Sequence, residues 1–150
     1  MQCGNRPSMT ISVRTALACD VKAMHAIRNG VQENRLSDPH QIDEASYRRY
    51  IEAASAWVAE SDDGIVGFAA VDSGSATVWA LFVDPQVEGA GIGRALHEHL
   101  LAWAHNQGIG TLTLTTGRDT RAASFYRRAG WIEAGSAPND DVLFVMTMPN

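Results

Sequence analysis

Trp79-Ala-Leu-Phe-Val-Asp-Pro-Gln-Val-Glu-Gly-Ala-Gly-Ile-Gly-Arg-Ala-Leu96 is the stretch whose reading decides the fold. Ala76 to Val83 is an apolar run with β-branched and aromatic residues, the pattern of a buried strand. Asp84-Pro85 ends it, because proline has no ladder donor and restricts the residue before it. Gly89, Gly91 and Gly93 follow at alternate positions. They open a segment in which Leu96, Leu100, Leu101 and Trp103 form roughly a helical stripe. The order is strand, glycine loop, helix N-terminus.

The first turn of a helix leaves its N–H groups without intrahelical partners, and the helix dipole makes that end attractive to anions. Glycines remove the Cβ atoms that would hold a phosphate away. The loop therefore reads either as a cradle for a phosphate-bearing cofactor or as a turn that lets strand and helix pack closely. A dinucleotide fingerprint needs a third glycine where Arg94 stands, and a P-loop needs a lysine that never comes. Both nucleotide motifs fail.

The stretch resembles the acyl-CoA loop of the GNAT superfamily of N-acetyltransferases. That family carries Val-x-Pro at a strand end, then Gln or Arg, two residues, and Gly-x-Gly/Ala at the next helix. Here Val83-Asp84-Pro85 is followed by Glu88-Gly89-Ala90-Gly91-Ile92-Gly93, with Glu88 in place of Gln or Arg. A second segment, Asp119-Thr-Arg-Ala-Ala-Ser-Phe-Tyr-Arg-Arg-Ala-Gly-Trp131, is similar to the family's Asn-x-x-Ala-x-x-Phe-Tyr-x-x-x-Gly-Phe. The likeness covers roughly residues 10–148.

The resemblance implies an α+β fold, a mixed and mostly antiparallel sheet flanked by helices and splayed at the acyl-CoA site. It implies acetyl-CoA as co-substrate, no metal, and transfer of the acetyl group to a primary amine, of a small molecule before a protein. Leu81, Phe82 and Val83 would offer backbone groups to the pantetheine arm and thioester carbonyl, opposite a strand at Leu112 to Thr116. Glu88, Gly89, Ala90, Gly91, Ile92, Gly93 and Arg94 would form the diphosphate loop, with Asp119 and Phe125 also on the cofactor side. Glu88 would turn its carboxylate away and leave the binding to backbone N–H groups. Alanine at Gly91 or Gly93 should then weaken CoA binding.

Tyr126 lies where the family places a tyrosine near the CoA sulfur, and a phenol of pKa about 10 keeps a proton to give to a thiolate. Without the resemblance it would read as a core tyrosine. The strand before the loop offers Thr77 and Trp79 but no carboxylate, so the base falls to Glu33 or Asp72, or to water. Glu33 and Asn34 follow the first helix, which in the family lines the acceptor side. Rival readings are an acyltransferase using a longer acyl-CoA, acetylation of a hydroxyl, a protein N-terminus or a lysine, a catalytically silent acyl-CoA-binding domain, or a structural or partner-binding domain with an empty loop. A homodimer would be in keeping with the family.

Composition sets the outer bounds. A chain of 150 residues forms one domain with a proper core, here 10–150 after a loose leader at 1–9. With 45% hydrophobic and 19% charged residues, the balance is globular and argues against a disordered chain. A net charge of −5 without basic clusters beyond Arg127-Arg128 speaks against nucleic acid and suits a cationic substrate. Cys3 and Cys19 form no disulfide framework, and the histidines have no metal spacing; His97 and His99 point different ways on a helix. No apolar run reaches the ~20 residues of a membrane span, and a cytoplasmic protein is expected.

Elsewhere the chain alternates helix and strand signals. Ile11 and Val13 mark a first strand; Asp20 is placed to cap a helix with Val21, Met24, Ile27 and Val31 inward and His25 beside that face. A second helix, capped near Asp43, turns Tyr47, Tyr50, Ile51 and Ala54 inward. Trp57 to Val71 reads as a hairpin about Asp62-Asp63-Gly64, with a further turn at Gly74. Gly108 should end the long helix, and Thr111 to Thr116 alternates as a strand. Asp119 is a candidate cap, Gly130 a helix end, and Trp131-Ile132 and Val142 to Met148 the closing strands. Tyr47, Tyr50, Trp57 and Trp79 read as core before pocket lining.

Overall fold

The computed structural model describes residues 11–30, 44–87 and 91–148. Strand β1 (Ser12–Thr15) leads through a short 3-10 turn into helix α1 (Val21–Gly30), followed by helix α2 (Glu44–Glu52). Strands β2 (Ala56–Ser61), β3 (Gly64–Asp72) and β4 (Thr77–Val83) come next, then helix α3 (Ile92–Asn106) and strand β5 (Thr111–Gly117). Helix α4 (Arg121–Arg128) and strands β6 (Ile132–Ala137) and β7 (Asp141–Thr147) complete the described residues.

These strands form one seven-stranded sheet in the order β1-β2-β3-β4-β5-β7-β6. Every neighbouring pair is antiparallel except β4 with β5. The parallel step needs a crossover, and α3 supplies it. This is the mixed, mostly antiparallel α+β architecture expected from the sequence.

Two apolar layers hold the helices to the sheet. On one face Ile92, Leu96, Leu100 and Ala104 of α3 and Ala123 and Tyr126 of α4 pack with Val66, Ala69, Leu112 and Phe144. On the other, Met24 and Ile27 of α1 and Tyr47 and Tyr50 of α2 pack with Val58, Phe68, Ala80 and Phe82. Cover on both faces explains why β3 is buried without a break from Val66 to Val71, whereas β5 alternates. Gly67 makes the α3 contact possible: a Cβ there would lie 3.0 Å from the Phe82 carbonyl and 3.1 Å from Ile92 Cγ2.

Several sequence expectations change in detail. Asp20 precedes α1, but its carboxylate takes the Leu17 N–H at 2.8 Å and both Arg14 Nη atoms at 2.9 and 3.0 Å. Burial works against that charge, yet the Arg14 guanidinium and the Leu17 N–H hold the carboxyl below its usual value. Ala54 is not on the α2 stripe: the helix ends at Glu52, and Ala54 sits exposed at φ 57° while Ser55 N–H closes back on the Tyr50 carbonyl at 2.9 Å. Trp131 precedes its strand, with its N–H on the Tyr126 carbonyl at 3.0 Å after Gly130 at φ 102°. The Asp43 cap, Val31 and the leader lie outside the described residues.

Candidate active site

The site begins with a mismatch of one residue. Ala70 pairs with Ala80 and Val71 with Val78, so Trp79 is an extra residue that has no partner in β3. A bulge of this kind bends its strand and sharpens the twist. The bend separates β4 from β5: their ladder consists of Thr77 with Thr113, anchored by the Thr113 N–H on the Ala76 carbonyl at 3.0 Å. The Thr77 and Thr113 hydroxyls meet at 3.2 Å at the same closed end. Beyond it the strands splay around a cleft walled by Val78 to Phe82, by Leu114 to Thr116, and by Ala122 and Tyr126 of α4.

Register fixes which backbone groups face that cleft. The Asp84 N–H reaches the Val66 carbonyl at 2.8 Å, and antiparallel bonds join residues directly opposite each other. With period two, Phe82 opposite Phe68 and Ala80 opposite Ala70 also turn their backbone to β3. Leu81 and Val83 then turn their N–H and C=O groups to the β5 side, where no ladder takes them. Of the three residues expected to do this, Phe82 is the exception: its backbone belongs to β3 and its ring to the α1 and α2 face.

The glycine loop delivers a helix N-terminus beside this open edge. Gly91 caps α3 at φ 83°, and the first intrahelical bond runs from Ala95 N–H to the Gly91 carbonyl at 3.0 Å. The N–H groups of Ile92, Gly93 and Arg94 thus precede the first intrahelical bond. Ile92 contributes only backbone, since its side chain is core. Arg94 turns outward, 81% exposed and 3.8 Å from Glu98. At Gly93 a Cβ would meet Val83 Cγ2 at 3.6 Å and Phe125 Cε1 at 3.9 Å, ordinary contacts, whereas Gly91 has a left-handed backbone. Glu88, Gly89 and Ala90 lie outside the described residues.

Helix α4 carries the candidate acid. Tyr126 is buried, lines the cleft, and packs edge-on against Phe125 and Trp131. Burial raises its phenol well above the usual value, so it stays protonated at neutral pH. Asp119 was the expected cap of this helix, but Thr120 does it, its Oγ1 accepting the Ala123 N–H at 3.1 Å. Asp119 is exposed in the preceding turn. Phe125 is half-buried, edge-on to His97 and near Gly93, which links α4 to the first turn of α3.

A family model for the acetyltransferase (GNAT) domain matches residues 27–149 of this chain. The chain belongs to the GNAT acetyltransferase family. A peptidyl-lysine N-acetyltransferase, YjaB of Salmonella typhimurium, is 36% identical over 94 residues, 62% of this chain. The matched stretch spans 61% of that relative's length. Among solved structures, Ard1 from Thermoplasma volcanium aligns with a TM-score of 0.81 at 17% identity, covering 93% of this chain and 99% of its own. PaiA N-acetyltransferase from Thermoplasma acidophilum, solved in complex with coenzyme A, aligns at 0.79 with 16% identity over 93% and 99%. At such identities the likeness is one of fold.

The acceptor side of this GNAT domain is less like the sequence reading. Asp72 is engaged within the chain: Oδ2 pairs with Arg49 at 2.9 Å, and Oδ1 takes the Gly74 and Ser75 N–H groups in the β3–β4 turn. Glu33 and Asn34 lie outside the described residues. Trp79, pushed out by the bulge, stacks on Tyr50 at 4.6 Å and stands edge-on to Tyr47. Arg28 of α1 lies over both the Trp79 and Phe82 rings, its Cζ 5.0 and 4.9 Å from their centroids. Arg28 carries no signal in the sequence, where it is a single arginine beside an apolar stripe.

Proposed function

We propose that this GNAT domain transfers an acetyl group from acetyl-CoA to a primary amine of a small molecule, by direct attack in a ternary complex. The observation that carries the reading is the open β4 edge, Leu81 and Val83, facing a cleft that Tyr126 lines. Acetyl-CoA suits these residues: an extended amide-bearing arm needs free strand-edge partners, and a diphosphate needs N–H groups at a helix start. Leu81 and Val83 offer the first, and Ile92, Gly93 and Arg94 the second. When bound, acetyl-CoA supplies an acyl group activated as a thioester.

The chain's own part is to bind, orient and move protons. A backbone N–H directed into a cleft can stabilise charge that grows on a carbonyl oxygen. Tyr126 holds a proton at its hydroxyl, and its burial keeps the group a phenol at neutral pH, the form that can give a proton to the leaving sulfur. The acceptor amine loses its proton to water or to Glu33, beside Asn34, and an acidic chain of net charge −5 favours approach of a cationic amine. The relative named as a peptidyl-lysine enzyme supports a second reading, with lysine side chains as acceptors.

The test is thiol release from acetyl-CoA against a panel of small amines and a lysine peptide, for wild type and Tyr126→Phe. Phenylalanine keeps the packing and removes the proton, so kcat should fall about 10²–10⁴-fold while CoA affinity by calorimetry stays the same. Tight CoA binding with no turnover of any amine would replace the reading by a silent acyl-CoA-binding domain. No CoA binding would overturn it altogether.

A further inference from the structure

Arg28 stands out among the charged side chains of the described residues. Its Nε and Nη1 atoms are buried and have no hydrogen-bond partner among the described residues. A guanidinium carries five donors and no acceptor, and donors left unmade in a buried setting are costly. Two other described arginines are paired: Arg49 with Asp72 at 2.9 Å, and Arg14 with Asp20 and Glu60 at 2.9 and 3.0 Å.

What surrounds Arg28 is aromatic. Its guanidinium lies about 5 Å above Trp79 and Phe82, and the Tyr47 and Tyr50 phenols favour its charged form. The rings hold the plane of the fork in place but satisfy none of its donors. Burial also depresses the Arg28 pKa, the mark of a desolvated cation.

The position is what turns this into chemistry. Trp79 and Phe82, whose rings lie under Arg28, are also among the residues that line the cleft between β4 and β5. They approach it from the α1 and α2 face, opposite the face from which Tyr126 lines it. A molecule entering from the α1 side would meet the guanidinium on its way to the open edge of β4.

We infer that Arg28 reads a carboxylate on the acceptor, so that the amine served by this site is an amino-acid-like molecule carrying its carboxylate on the same small frame. A carboxylate presents two oxygens in the geometry of the guanidinium fork, whose bidentate edges are Nε with Nη2 and Nη1 with Nη2, so that each edge holds one of the unpartnered atoms. The inference rests on the cleft being the acceptor site of an acetyltransferase, and names the substrate class of that site.

The experiment uses matched pairs: L-phenylalanine with phenethylamine, L-lysine with cadaverine, and β-alanine with ethylamine. Thiol release from acetyl-CoA is measured for wild type, Arg28→Met and Arg28→Lys, together with calorimetric titration of each probe into protein saturated with CoA. Charged hydrogen bonds of this kind predict at least a ~10-fold preference for the carboxylated member, carried in KM rather than kcat. Arg28→Met should bring each pair to within ~3-fold, and Arg28→Lys, which keeps the charge without the fork, should fall between.

Turnover of the carboxylate-free amines equal to or better than their partners would overturn the inference and leave the acetyltransferase reading standing. So would a preference unchanged in Arg28→Met, or a terminally blocked lysine peptide turned over ahead of every carboxylated probe. Absence of all turnover with carboxylate-dependent binding that Arg28→Met abolishes would support Arg28 while removing the catalytic reading. Absence of both, in wild type, would overturn the inference. The wild-type preferences decide the matter even if the methionine variant folds poorly.

Discussion

Trp131 donates its indole N–H to Nε2 of His97 at 2.9 Å, in the buried seam where α3, α4 and the start of β6 meet. An imidazole that accepts at Nε2 carries its proton on Nδ1 and is neutral. Phe125 stands edge-on to the same ring at 5.4 Å, so this one histidine ties the first turns of α3 to α4.

The bond predicts a pH effect on stability. Burial lowers the His97 pKa from its ordinary value, with Glu98 pulling the other way, so the unfolded chain binds the proton more readily than the folded one. The stability due to neutral His97 is complete above the unfolded value of about 6.5 and is lost as pH falls below it. Thermal unfolding of wild type and His97→Gln from pH 8 to 5 checks this. The gap between the two curves should narrow as the solution becomes acidic, and a constant gap would refute the assignment.

The two glycines at the start of α3 should behave differently. Gly91 adopts φ 83°, where an alanine costs roughly 1–2 kcal/mol whatever the space around it. At Gly93 the backbone is ordinary and a methyl group makes normal contacts with Val83 and Phe125. Gly91→Ala should lower both the unfolding midpoint and CoA affinity; Gly93→Ala should be neutral, or stabilising by up to about 1 kcal/mol. Denaturant unfolding and CoA calorimetry on the pair would measure it.

Gly67 sets how closely α3 approaches the sheet. A methyl group there would press on the Phe82 carbonyl, Ile92 Cγ2 and Leu96 Cδ1 at 3.0–3.1 Å. Two of these neighbours are core side chains and the third is backbone of β4, so none yields freely. Gly67→Ala should destabilise by about 1–3 kcal/mol in urea, the usual cost of overpacking.

Capping of α4 gives a sharp contrast between adjacent residues. Thr120 Oγ1 accepts the Ala123 N–H and donates to the Gly117 carbonyl at 2.9 Å, whereas Asp119 is exposed. Thr120→Ala should cost ~1 kcal/mol and Asp119→Ala much less, read from urea midpoints.

Helices and strands were legible in the sequence where a period was clean. The Thr111 to Thr116 alternation and the Val21, Met24, Ile27 stripe both hold in the structure. The end of α3 at Gly108 was equally clear, since its φ of 79° favours glycine. Caps were less so: Asp20 and Asp119 were each plausible by residue type, but a neighbouring arginine took the one carboxylate and Thr120 took the other's task. A side chain's nearest suitor in space is not its neighbour in sequence.

The sequence by itself determined the strand–glycine loop–helix order, the position of Tyr126 on α4, and the family those motifs mark. The first two are matters of local periodicity and spacing, and the third of resemblance to known motifs. Tertiary structure alone decided that Trp79 is an extra residue in its ladder, that Leu81 and Val83 but not Phe82 face the cleft, and that Arg28 lies on aromatic rings with Nε and Nη1 unpartnered. Register between strands and contact across a sheet depend on residues tens of positions apart. No local pattern in one strand or helix carries that information.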